Sequence, residues 1–254
     1  MYKKLTIIIV LVSLITGAYL FLDHSSKVIP KDGFNTVNNQ ETAKRQNYEF
    51  SNPKKSAHYE SNTPEHATIA PAVPINVVIN FNFDLSPKSE IKILKDGKDF
   101  GVGETKVDTN KLSILRDTDP QSGDGTYKVE YNACWPDGSC HDGYFYFAID
   151  TKAKADFKDM SDKVLTGINL EANSFNPIKI IISKGTKITW VNKDKVIHYV
   201  NTDSHPAHTY FPQQNSKALN INDTFSLVFD KPGWYPYHCS AHESIMKGEI
   251  IVLP

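Results

Sequence analysis

The sequence predicts an all-β chain of two consecutive sandwiches, set behind an apolar amino-terminal segment and a polar linker. Short apolar runs, several with period-two alternation, recur from Pro74 to Leu253. Turn pairs such as Asp96-Gly97 and Lys184-Gly185 separate them. No helices intervene, so the strands pack as sandwiches rather than as a helix-covered parallel sheet. With 254 residues, 40% hydrophobic and 11% aromatic, the chain has material for one or two ordinary cores. Its formal net charge of -1 makes no case for a nucleic-acid partner.

Residues 1–22 hold an apolar run from Leu5 to Leu22, with Lys3 and Lys4 before it and Asp23 after. Its length fits a membrane span or a signal sequence. Thr16-Gly17-Ala18 offers a weak cleavage site, but the run continues past it to Leu22, which favours an uncleaved anchor. The leading lysines keep the amino terminus inside and send the remainder across the membrane. Residues 23–70 are polar and without sustained periodicity, the composition of a disordered linker. His24, His58 and His66 fall in it as solvated linker histidines.

The first sandwich is expected over 71–150. Phe81, Phe83 and Leu85 alternate with Asn80, Asn82 and Asp84, a half-buried strand. Further strands are expected at Ile91–Leu94, Leu112–Leu115, Thr126–Ala133 and Tyr144–Ile149. Between the last two, the Pro136-Asp137-Gly138 turn brings Cys134 and Cys140 together for a disulfide. Of three cysteines, that leaves Cys239 for other chemistry. Residues 151–162 form a charged connector with a helical turn or two through Phe157 and Met160.

The second sandwich is expected over 163–254. Val164–Ala172, Ile178–Ile182 and Thr186–Asn192 lead to a strand on which Val196, His198 and Val200 face inward. From Trp234 to Cys239 alternation puts Tyr235, Tyr237 and Cys239 on one face and Trp234, Pro236 and His238 on the other, so His238 is no ligand of a site built on Cys239. His242 and Met246 follow on a loop that Gly248 closes before the strand Glu249–Leu253. His198, 41 positions before Cys239, faces the same core. Two imidazoles, a thiolate and a thioether form a soft set that describes a mononuclear blue-copper centre, one copper per chain, with Met246 as a long axial contact. Zinc is the chemical competitor, and the thioether argues against it. Glu243, beside His242, is a conceivable substitute ligand, and no second cysteine is present in the loop for a dinuclear centre. After the first ligand, Thr202 to Phe211 is rich in histidine: His205 and His208 could bind a second ion, gate the copper, dock a partner, or be exposed loop histidines.

Residues 164–254 resemble the cupredoxins, particularly the small plastocyanin, pseudoazurin and amicyanin group. The matching features are Phe175-Asn176-Pro177, Lys184-Gly185-Thr186, Trp190-Val191-Asn192-x-Asp194, His198-x-Val200, Asp230-Lys231-Pro232-Gly233 and Tyr237-x-Cys239-x-x-His242 followed by Met246-x-Gly248. The resemblance implies a Greek-key sandwich, His198, Cys239, His242 and Met246 as copper ligands, and His242 as the ligand nearest solvent. Ahead of it, Gly125-x-Tyr127-x-Val129, Asp137-Gly138, His141 and Gly143-x-Phe145-x-Phe147 resemble the end of CopC-like copper-resistance domains, which implies an Ig-like sandwich. It also makes Asp137 and His141 candidates for a secondary copper site, although Ser139 and Cys140 intervene between Gly138 and His141. The expected function is an exported, membrane-tethered type 1 copper protein that carries single electrons and is no enzyme. The alternative is a copper-binding protein for resistance, storage or delivery. Its partner would be a redox protein or a copper donor or acceptor, and its location extracytoplasmic, in a periplasm or at a cell surface.

Overall fold

Nine strands build the first sandwich of the computed structural model, which describes residues 47–254: β1 (Tyr59–Thr63), β2 (Ile69–Ala70), β3 (Asn76–Phe81), β4 (Glu90–Lys95), β5 (Lys98–Asp99), β6 (Gly101–Val107), β7 (Ser113–Thr118), β8 (Gly125–Cys134) and β9 (Cys140–Ile149). The expected anchor over 1–22 and the linker as far as residue 46 lie outside the described residues. One sheet runs β1-β3-β7-β6 and the other β2-β9-β8-β4-β5. Between them pack Val77, Ile79, Phe81, Ile91, Ile93, Tyr127, Val129, Phe145 and Phe147. The β4–β5 hairpin turns on Asp96 and Gly97, both at positive φ (51° and 76°), the backbone that suits a tight hairpin and that an Asp-Gly pair adopts readily. At the tip of the β8–β9 hairpin Cys134 and Cys140 are bonded, as the turn chemistry implies.

The linker composition misleads over its last part. Residues 59–63 and 69–70, expected to be spacer, form β1 and β2. β1 pairs with β3 and β2 runs parallel to β9, so the backbone hydrogen bonds of the sheet edges order a segment too polar to order itself. His58 and His66 go with them: His58 Nδ1 lies 2.9 Å from Asn82 Oδ1, and the Tyr146 N–H points at His66 Nδ1. β3 also departs from expectation. It ends at Phe81, Phe83 is surface exposed, and all six of its residues are buried. Val77, Ile79 and Phe81 point into the first core, while Val78, with Ile75 just before it, enters the second.

After a 3₁₀ turn at Thr151–Asp156, where a helical turn was expected, nine more strands form the second sandwich. They are β10 (Lys158–Asp159), β11 (Leu165–Glu171), β12 (Ser174–Asn176), β13 (Lys179–Ser183), β14 (Lys187–Asn192), β15 (Asn201–Thr202), β16 (Thr224–Val228), β17 (Gly233–His238) and β18 (Lys247–Leu253). The sheets are β10-β13-β18-β17-β15 and β12-β11-β14-β16. Trp190, Phe175, Phe229, Tyr235 and Tyr237 dominate the core. The strand expected around Val196–Val200 is an irregular segment with one bridge, His198 to Leu219. The cause is local. Asn192 Nδ2 donates to the carbonyls of Val196 and Leu219, both at 2.8 Å, and its Oδ1 accepts the Asp194 N–H, so a side chain replaces the ladder. His198 and Val200 still point inward, but Val196 does not.

The two sandwiches meet along β3. The Val73 carbonyl accepts the Trp234 N–H at 2.9 Å, and Lys231 bonds the Asp117 carboxylate and the Ile75 carbonyl. At Gly233, φ is 144° and an added Cβ would lie 2.7 Å from the Ile75 side chain, so only glycine fits this close approach.

Candidate metal centre

Cys239 follows the last residue of β17 and continues its alternation into the core, so its sulfur is fully buried beside Tyr237 and Met246. Its Sγ lies 3.6 Å from His198 Nδ1 and 3.7 Å from His242 Nδ1. Donors at roughly 2.0–2.3 Å from one ion and about 120° apart stand about 3.6–3.8 Å from each other, so this spacing suits a trigonal His2Cys site. The Tyr199 N–H is aimed at Sγ from 3.3 Å.

The loop from Cys239 to Met246 is tied at both ends. The Cys239 N–H bonds the Met246 carbonyl, and the His242 carbonyl accepts the Met246 N–H at 2.8 Å. This closure buries Met246 completely in the same core as Cys239 and leaves His242 half-buried, the most exposed of the four, as the resemblance implied. Glu243 points to solvent.

His198 is fully buried, and its Nε2–H donates to Asp194 Oδ2 at 2.8 Å, which fixes the tautomer that leaves Nδ1 free for a metal. Burial acts to raise the Asp194 carboxyl, but the hydrogen bond from His198 and those from the N–H groups of Asn173 and Ala172 outweigh it and hold it below the usual carboxylate range. The sequence reading gave Asp194 no role of its own. Its signal was the four-residue spacing to His198, which could not be weighed without knowing that Asn192 curls the chain there. Asp194→Asn keeps the shape and removes the charge behind the imidazole, so copper affinity should fall about 10- to 100-fold, as read by competition with a chelator. An unchanged affinity would show that His198 is oriented by packing alone.

The other predicted residues divide. Asp137 and His141 are exposed, and neither joins a group of three donors among the described residues. Asp137 accepts from the Ser139 N–H and hydroxyl, while His141 packs edge-on against Trp135 with ring centres 5.2 Å apart. His205 and His208, by contrast, come together with His238 in a second three-donor group, all within 4.8 Å. His238, buried and turned away from Cys239 as alternation required, therefore has neighbours of its own. Burial, with His238 and His205 alongside, lowers the His208 pKa to about 4.

Residues 162–253 match the family model for copper binding proteins of the plastocyanin/azurin family, and residues 59–150 match the CopC domain. The chain is 30% identical over 87 residues to amicyanin-alpha of Methylorubrum extorquens, covering 34% of this chain and 71% of that protein. It is 31% identical over 97 residues to plastocyanin of Scenedesmus fuscus, covering 35% and 96%. Among solved structures, a purple cupredoxin from Nitrosopumilus maritimus is similar at 30% identity, with 35% of this chain and 99% of that one aligned and a TM-score of 0.30. CopC from Methylosinus trichosporium is similar at 26% identity, with 38% and 94% aligned and a TM-score of 0.34.

Proposed function

Because this chain belongs, through residues 162–253, to the plastocyanin/azurin family of copper-binding proteins, with a CopC domain ahead of it, we propose that it is an exported, membrane-tethered carrier of single electrons. His198, Cys239, His242 and Met246 hold one copper, and the bound copper supplies the one-electron couple. The observation that carries the reading is the preset donor triangle: Sγ at 3.6 and 3.7 Å from the two Nδ1 atoms, with His198 held by Asp194 and Sγ met by the Tyr199 N–H.

The residues around it do the rest. Cys239, His198 and Met246 are walled off from water. Asp194 and the Tyr199 N–H fix the imidazole and sulfur, so little has to move when charge arrives or leaves. His242, half-buried, is the ligand a redox partner can approach. The disulfide fits an oxidising compartment outside the cytoplasm.

The CopC match over 59–150 favours a second reading, copper binding for resistance, storage or delivery. Electrochemistry on copper-loaded protein separates the two. A carrier gives a reversible one-electron wave that persists in excess Cu(I) chelator. Rapid loss of copper to the chelator on reduction would sink the carrier reading in favour of delivery.

A further inference from the structure

The geometry points to a second metal centre, a Cu(II) site of three imidazoles from His205, His208 and His238, lying on the opposite side of the β17 end from Cys239. The three donor atoms lie within 4.8 Å of one another. His208 Nε2 and His238 Nε2 face each other at 3.2 Å. Two nitrogens at roughly 2.0 Å from one ion and about 110° apart stand about 3.3 Å from each other, so the closest pair already has the span of two ligands. The exposed His205 ring, centred 5.4 Å from each of the others, closes the third side.

The surroundings prepare these rings as ligands. His238 Nδ1–H donates to Asp203 Oδ1 at 2.7 Å, which leaves Nε2 with its lone pair and places a carboxylate behind the imidazole. Asn201, opposite His238 on β15, has a buried Oδ1 without a partner among the described residues, and its amide lies 3.4 Å from His208 Nδ1. A half-turn of that amide lets Oδ1 accept from His208 Nδ1–H, which frees His208 Nε2 toward the same point as His238 Nε2. Ser240 Oγ, 3.1 Å from His208 Nε2, is a fourth polar group at the edge of the cluster. An all-imidazole set without a thiolate suits divalent copper, and Irving-Williams order puts Cu(II) above the other first-row divalent ions.

The loop that carries two of the ligands is not free. Ser204 and Thr209 bracket them and bond Asn80 of the first sandwich, at 2.8 and 2.7 Å. The imidazoles are thus held from both domains, which neither sandwich alone would provide.

The test compares the full chain with His205→Ala/His208→Ala, each loaded with Cu(II) and freed of loose metal. The wild type should hold one more copper per chain and show a second EPR signal with wide copper hyperfine splitting and nitrogen structure. The variant should lose both while keeping its thiolate-to-Cu(II) absorption, which doubles as the check on folding. His205→Ala alone, at an exposed position, should weaken the second ion by more than about tenfold. Equal copper content in all three proteins, or a second signal that survives the double substitution, overturns the assignment. It does not depend on the carrier reading, because the blue absorption reports Cys239 and the second EPR signal reports the imidazole cluster. Copper at Asp137 or His141 would be common to all three and would cancel.

Discussion

Copper-loaded Cys239→Ser should lose the intense thiolate-to-Cu(II) absorption entirely while keeping its fold. Cys134 and Cys140 are bonded to each other, so Cys239 is the one sulfur able to supply a thiolate. Serine is close in size, and its hydroxyl can accept the Tyr199 N–H that now points at Sγ, so the apoprotein should lose only about 1 kcal/mol. The metal loses far more. A neutral hydroxyl is a hard, poor ligand for copper, and His198 and His242 alone should hold it more than a hundredfold less tightly, above the roughly 10- to 100-fold typical of a lost outer partner. Absorption and EPR spectra beside far-ultraviolet circular dichroism read the result. An intact blue band in the variant would mean that the chromophore lies elsewhere.

Asn80→Ala should be the most damaging single change at the meeting of the sandwiches. Asn80 is buried, accepts from Ser113 and Thr209 at 2.8 and 2.7 Å, and donates to Ser204 and Ser61 at 2.8 and 3.0 Å. Alanine leaves several of these hydroxyls without a partner, at about 1–3 kcal/mol for each group that water cannot reach. A total loss of about 3 kcal/mol would lower the melting temperature by roughly 6–12 °C for a structure of this size. The loop bearing His205 and His208 would also lose its hold, seen as faster amide exchange between residues 203 and 209. A melting temperature within a degree or two of wild type would show that the loop is held by its apolar neighbours instead.

The cluster around Cys239 was legible because strands encode direction. Once Tyr235, Tyr237 and Cys239 share a face, the inward side of Cys239 and the outward side of His238 follow, and both hold in the fold. The disulfide was legible from a tight turn between two cysteines for the same local reason. What escaped depends on contacts distant in sequence. β1 and β2 exist because β3 and β9 offer them edges, which no composition window can see. The irregular path to His198 comes from one amide, Asn192, reaching as far as the Leu219 carbonyl. His238 was correctly excluded from the first site, but its own cluster is visible only when β15 pairs with β17 and brings the His205–His208 loop across.

The burial of β3 on both faces has a consequence for cooperativity. A strand whose Val77 and Ile79 belong to one core and whose Val78 belongs to the other cannot come apart from either without exposing the second. Ile75 and Val78 each contribute roughly 1.5–3 kcal/mol of burial to the core that contains Cys239. The boundary between the two repeats of sandwich architecture is thus not a boundary between folding units. The described chain should behave as one foldon across that seam, and the ligand triangle inherits its rigidity in part from a domain that supplies none of its donors.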